Sequence, residues 1–367
     1  METIAFARGV PAPEMLPVSL IQEAAQTALD RDAIRILSYG PGGGYAPLRQ
    51  QLADAHGVQA SQILVTTGSL HGFALFVEHT KLQCGEAAPL AFVENPTYDR
   101  PLIVLQRNGY RVRSIATDTD GMQPDALEAA LRTERPAFIY VIPSFQNPSG
   151  ATLSNARRDE ILALAARYDV PIFEDDPYGM LHFSTPAPAT LFSRASDTQV
   201  IYANSYSKTI SPGLRVGYLV LPEDHAPRLE QYANDTYISP TLLGQATVDE
   251  ILRNGSFSAH VDEVRSQLAQ RCDLMCSAID TYLPHARYVR PGGGYFLWVD
   301  LDDATDTSAL LQHATEAGAT FVQGEAFGEG QTSAMRLAFS SPPRELIAPG
   351  IERIASALSS ALTTAAT

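Results

Sequence analysis

From Ile63 to Leu221, short apolar runs alternate with helical patterns, and that alternation limits the chain to an α/β fold with a largely parallel sheet. Ile63-Leu64-Val65-Thr66 leads into a helix over Gly68 to His79, and Leu90-Ala91-Phe92-Val93 into one over Tyr98 to Asn108. Phe138 to Ile142 precedes a loop and a helix over Ser154 to Tyr168. Val170-Pro171-Ile172-Phe173 ends in acids, and Val200 to Ala203 and Val216 to Leu221 complete the set. Ligands of such sheets collect at the carboxyl ends of the strands. From Ser239 the texture changes. A long helix over Ala259 to Tyr282, a strand over Tyr295 to Asp300 and a helix near Thr307 to Ala317 come first. A strand over Met335 to Phe339 and a last helix from Pro343 to Leu362 follow, and the whole reads as a smaller α+β domain. A length of 367 residues suits two domains at roughly 100–200 residues each.

Charge narrows the function. A formal net charge of −15 speaks against nucleic acid or an anionic membrane as partner, since both select a basic surface. No apolar run approaches the ~20 residues that span a bilayer. The N-terminus lacks the charged and apolar regions of a secretory leader. Three cysteines cannot make a disulfide framework, which fits a reducing cytoplasm. Cys272 and Cys276 stand four apart in a helical pattern with His260 and His285 out of step, so core packing is expected there and no metal site. Pro-Gly-Gly-Gly-Tyr occurs at 41–45 and again at 291–295. Neither copy has dinucleotide-site spacing; both suit turns, and the first can present amides to an anion at the head of a helix over Tyr45 to His56.

One run carries chemistry: Asn204-Ser205-Tyr206-Ser207-Lys208-Thr209-Ile210-Ser211-Pro212-Gly213-Leu214-Arg215-Val216-Gly217-Tyr218. A partly desolvated lysine has a lowered amine pKa, and a neutral amine forms a Schiff base with an aldehyde. Arg215, seven residues on, can hold a phosphate bidentately. An aldehyde that carries a phosphate describes pyridoxal 5'-phosphate. Taken alone, an arbitrary Ser-x-x-Lys reads far more readily as a surface turn with two ordinary cations.

Five further motifs stand in order along the chain: Thr66-Thr67-Gly68-Ser69-Leu70, Glu94-Asn95-Pro96-Thr97-Tyr98, Gln146-Asn147-Pro148-Ser149-Gly150, Glu174-Asp175-Asp176-Pro177-Tyr178-Gly179 and Met335-Arg336-Leu337-Ala338-Phe339-Ser340. With them the Lys208 run resembles the class I/II aminotransferases, which are fold-type I pyridoxal-phosphate enzymes, and most of all their 2-aminoadipate and aromatic branch. The resemblance implies a large cofactor domain over residues 39–255 with a mostly parallel seven-stranded sheet. It also implies a small α+β domain over 256–367, with residues 1–38 packed on the small domain.

The site roles come from the same resemblance. Gly68, Ser69, Leu70, Ser205 and Arg215 hold the phosphate, and Lys208 forms the Schiff base. Tyr98 stacks on the pyridine ring, Asp175 faces its nitrogen, and Asn147 and Tyr178 donate to its phenolate oxygen. Arg336, a lone cation in an apolar strand, takes the substrate α-carboxylate; a structural ion pair is its other reading. Tyr39 reaches the phosphate of a neighbouring subunit, so a homodimer with shared sites is implied. Arg8 lies where relatives cover the substrate, and it suits either a distal carboxylate or plain solvation. Leu70 and His71 replace the family's glutamines, and Asn204 replaces its glycine. Glu174 and Asp176 read as helix-capping or solvated acids. The implied activity is amino transfer between an L-amino acid and a 2-oxo acid, 2-oxoglutarate or pyruvate. A lyase or amino-acid cyclase on the same cofactor is the alternative. A ligand-sensing effector domain is third, disfavoured because enzyme-like sequence begins almost at Met1.

Overall fold

The computed structural model describes residues 3–85, 87–183, 186–196, 199–301 and 305–365. In chain order its first half holds β1 (Ile4–Ala5), α1 (Val18–Ile36), α2 (Ala46–His56), β2 (Ile63–Thr66), α3 (Ser69–Cys84), β3 (Leu90–Asn95), α4 (Asp99–Arg107), β4 (Arg111–Asp118), β5 (Gly121–Met122), α5 (Pro124–Leu131), β6 (Phe138–Val141) and α6 (Asn155–Tyr168). Then come β7 (Ile172–Asp175), α7 (Leu191–Arg194), β8 (Val200–Ser205), β9 (Gly217–Val220), α8 (Ala226–Tyr237), α9 (Leu242–Arg253) and α10 (Ser256–Tyr282). The last are β10 (Arg287–Tyr288), β11 (Phe296–Asp300), α11 (Thr307–Glu316), β12 (Ala319–Thr320), β13 (Val322–Gln323), β14 (Ala334–Ala338) and α12 (Ile347–Ala365).

The apolar runs become the middle of one sheet, ordered β2-β9-β8-β7-β6-β3-β4-β5. Neighbours from β8 to β4 are parallel, whereas β9 and β5 run antiparallel to the strands beside them. The eighth strand is the two-residue β5, a hairpin edge on β4. Apolar runs do not disclose β4, because it lies near the sheet edge and is mostly exposed; its Arg113 bonds to Glu134 instead of entering the core. One face of the sheet packs Phe73, Phe76, Phe138, Tyr140 and Phe173 into a ladder of edge-to-face and tilted rings. The second sheet, β10-β11-β14-β13, is antiparallel and supplies the small domain's wall of the site.

Only part of segment 1–38 follows the small domain. β1 pairs with β12, and Phe6 is fully buried against Gly350. Helix α1 goes elsewhere. Its Ala24, Ala28 and Ile36 join a cluster with Leu48 and Leu52 of α2 and Leu242 and Ala246 of α9. Arg31 then pairs with the fully buried Asp249 at 2.8 Å. Asp249 is also bonded by Arg253 of α9 at 3.0 Å, so Arg31 adds a second cation to a buried acid and ties α1 to the large domain.

In the first glycine run, two amides ahead of the helix are already taken. Its Gly44 amide bonds to the Pro41 carbonyl and its Tyr45 amide to Gln245 Oε1, at 2.7 Å. Cys272 and Cys276 sit buried in the core with their sulfurs 4.0 Å apart. Among the described residues no helix is long and apolar enough to cross a membrane.

Candidate active site

The carboxyl ends of β2, β3, β6, β7 and β8 meet β14 of the small domain around a cavity of about 470 Å³. Every site residue named from sequence lines it except Tyr39. Tyr39 is 87% exposed on the outer surface, away from this chain's own cavity.

A cup for an anion forms where β2 turns into α3. Gly68 sits at φ 84 before the helix, and no side chain caps the first-turn amides, which have no partner within the helix either. Such a helix start attracts an anion through its free N–H groups and its dipole. Arg215 closes the cup: Nη2 donates to the Thr67 carbonyl at 2.9 Å and Nη1 to Ser207 Oγ at 3.2 Å. Ser205 Oγ donates to Ser207 Oγ at 2.9 Å, so the two hydroxyls and the guanidinium form one patch. Gly217 makes the close approach possible, since a Cβ there would lie 2.6 Å from the backbone of Gly68 and Ser69.

At the floor, Asp175 Oδ2 accepts from the Tyr140 hydroxyl at 2.8 Å, while its Oδ1 is buried without a partner. Burial pushes the Asp175 carboxyl up to about 6, against the pull of Tyr140 and Lys208. An orphaned carboxylate oxygen of this kind fits a protonated ring nitrogen. The neighbouring acids are not solvated. Glu174 is fully buried and caps α7 by accepting from the Leu191 and Phe192 amides, each at 2.8 Å. Asp176 accepts from the Gly179 amide and the Tyr202 hydroxyl. Both belong to the central strand β7 and the turn after it, where burial raises their carboxyls and those donors offset part of the desolvation.

The loop that carries Asn147 is braced from two sides. Buried Arg158 of α6 donates to the Pro143 carbonyl and Ser144 Oγ, and Gln146 Nε2 donates to the Pro96 carbonyl and to Glu94 Oε2. Glu94 also accepts from the Ile142 amide, and burial pushes its carboxyl up to about 8. Between the ordinary value and about 8, the folded protein keeps a proton that the unfolded chain releases. Glu94 therefore contributes stability that is full below pH 4.5 and lost as pH rises through about 8. Glu94→Gln should flatten the fall of melting temperature between pH 5 and 8; an unchanged slope in a thermal-denaturation series would refute this.

Lys208 and Arg336 face each other across the cavity. Lys208 Nζ donates to the Gly9 carbonyl at 2.5 Å and lies 5.8 and 5.3 Å from the ring centroids of Tyr178 and Tyr295. Burial pushes its amine down to about 8; Arg336 adds to that and Asp175 opposes it. Arg336 is buried, and among the described residues no carboxylate pairs with it. Nη1 donates to Asn147 Oδ1 at 2.8 Å, Nη2 to the Ala7 carbonyl at 2.7 Å, and Nε has no partner. The rings of Phe296 and Phe327 flank its guanidinium at 4.2 and 4.7 Å. A desolvated cation held between aromatic faces with an open donor is built for an incoming carboxylate.

Sequence reasoning missed Ser207, Tyr140, Gly9, Phe296 and Phe327. Ser207 adjoins the lysine and could have been found there. Tyr140 carries no signal, because only the pairing of β6 with β7 brings it to Asp175.

Residues 7–354 match the family model described as aminotransferase class I and II. The chain is 34% identical to the 2-aminoadipate transaminase of Thermus thermophilus, over 97% of its own length and 90% of that protein's. It is 31% identical to aromatic-amino-acid aminotransferase 1 of Thermococcus litoralis, over 96% and 87%. Its fold matches a Thermus thermophilus alpha-aminoadipate aminotransferase complexed with N-(5'-phosphopyridoxyl)-L-leucine. There the TM-score is 0.93 at 32% identity, covering 99% of this chain and 93% of that one. The chain belongs to the class I and II aminotransferase family. It is an aminotransferase, and its cofactor is pyridoxal 5'-phosphate.

Proposed function

We propose that Lys208 is the reactive amine of this aminotransferase and that Arg336 receives the substrate's α-carboxylate. The observation that carries the reading is Arg336 itself, a buried guanidinium with no carboxylate partner among the described residues, lining the cavity that holds the lysine. The α3 amides, Ser69, Ser205, Ser207 and Arg215 would hold the cofactor phosphate, Tyr98 would cover one ring face, and Asp175 Oδ1 would take the ring N–H. Asn147, whose Oδ1 is engaged by Arg336, keeps its amide to donate to the ring oxygen beside Tyr178. The bound cofactor supplies a carbonyl carbon for the amino group and an electron-withdrawing ring for the bond to the substrate Cα.

The chain's own residues do the rest. Arg336 would orient the α-carboxylate and so set which Cα bond is presented to Lys208. Lys208 Nζ, with its proton affinity lowered toward neutrality, takes the Cα proton and returns it as general acid. Residues 7–9, bonded to both cations, keep water from the amine. The donor is an L-amino acid and the acceptor 2-oxoglutarate or pyruvate. Incubation of an ¹⁵N-labelled donor with these acceptors tests the reading: label in the new amino acid supports it, and ammonia released with pyruvate would mark a lyase.

Exposed Arg8 lines the same cavity and pairs a distal substrate carboxylate in this reading. Arg8→Ala should raise the glutamate or 2-aminoadipate KM about three- to tenfold, discounted for exposure, and leave the alanine KM alone. An untouched glutamate KM would dispose of that role. Ile34, Leu37 and Tyr39 are 87%, 72% and 87% exposed, and Gly40 next to them packs on Leu242 near the half-exposed Ile238. An apolar patch of this kind supports a homodimer in which Tyr39 reaches the partner's phosphate site. The three cysteines form no disulfide among the described residues, which supports a cytoplasmic setting.

A further inference from the structure

The second Pro-Gly-Gly-Gly-Tyr run clasps the large domain. Gly292 accepts from the Phe183 amide at 2.8 Å, and the Gly294 amide donates to the Leu181 carbonyl at 3.0 Å. A Cβ at Gly293 would fall 2.5 Å from that carbonyl and 2.6 Å from Phe145 Cζ. Gly294 stands at φ 76, and a Cβ there would lie 2.8 Å from Phe145 Cβ. Only glycine fits such a seam. The turn is thus wedged between the residues that follow Tyr178 and Phe145, which stands two places before Asn147.

Tyr295 is what the wedge delivers. It is fully buried, and its hydroxyl donates to the Lys208 carbonyl at 2.7 Å. Lys208 lies in the turn after β8, where the Tyr206 carbonyl takes both the Ile210 and the Ser211 amides. The Lys208 carbonyl is left facing the small domain. The Tyr295 ring also stands 5.7 Å from that of Tyr178, so the two rings flank the amine.

We propose that Tyr295 is a positioning residue: through this one hydrogen bond the small domain fixes the Lys208 backbone, and with it the arc that the amine can sweep. The inference rests on Lys208 being the reactive amine. Tyr295→Phe keeps the ring and removes the hydroxyl. It should lower kcat about five- to tenfold, the rate equivalent of one net hydrogen bond, with the amino-donor KM within about twofold.

A second readout uses the apo-protein and needs no turnover. The pH midpoint for reductive methylation of Lys208, read by peptide mass spectrometry with Lys81 as internal standard, should rise toward that of an ordinary lysine. Tyr295→Leu should move it further. An unchanged midpoint overturns the proposal, whether kcat is retained or falls together with the melting temperature, since the second pattern marks plain core packing. The labelling arm decides the role of Tyr295 even if the wild-type protein fails to transfer amino groups.

Discussion

Lys208→Ala is expected to lower amino transfer by roughly 10²- to 10⁴-fold, the range lost with a positioned general acid–base. The apo-protein should melt no lower than the wild type. Both halves follow from where the amine sits. Among the described residues no carboxylate bonds Nζ; its hydrogen-bond partner is the Gly9 carbonyl, and burial already pulls its proton affinity down to about 8. A buried cation held this way costs stability, so truncation relieves the fold while it removes the chemistry. Steady-state rates and thermal denaturation of the same preparation check the pair of outcomes. A variant that keeps its rate, or loses it only because it unfolds, contradicts the assignment.

Arg336→Met is expected to lower kcat/KM for amino donors about 10²- to 10³-fold, carried mainly by KM. Removing one member of a desolvated charge pair costs about 2–5 kcal/mol at binding, and here the pair exists only with substrate present. Methionine matches the apolar walls of Phe296 and Phe327, so the melting temperature should hold or rise. Decarboxylated analogues of the donor should be insensitive to the change. An unaltered KM with a lower melting temperature would make Arg336 a structural cation after all.

Several parts of this site are legible in sequence because their chemistry is local. The strand-to-helix glycine at 68, the acid at the end of β7 and the lysine after β8 each follow an apolar run that can be read directly. Arg336 is legible for the opposite reason: a cation inside the apolar run Met335-Arg336-Leu337-Ala338-Phe339 has to be matched by an anion. Contacts set by strand order are not legible. Tyr140 meets Asp175 because β6 pairs with β7, and Tyr295 meets Lys208 because two domains close on each other. The path of α1 is not legible either, since the buried acid that Arg31 pairs with, Asp249, lies more than two hundred residues away. Strand β4 escaped because its edge is wet.

The chain contains two lysines, Lys81 and Lys208, which makes the central claim unusually open to one measurement. Lys81 is committed elsewhere, donating to the Asn108 carbonyl at 2.6 Å. The apo-protein is loaded with pyridoxal 5'-phosphate, reduced with borohydride, digested and sequenced by mass spectrometry. The account requires one phosphopyridoxyl group per chain, on the peptide bearing residue 208. Label on Lys81 or on the N-terminal amine, with residue 208 unmodified, would contradict it.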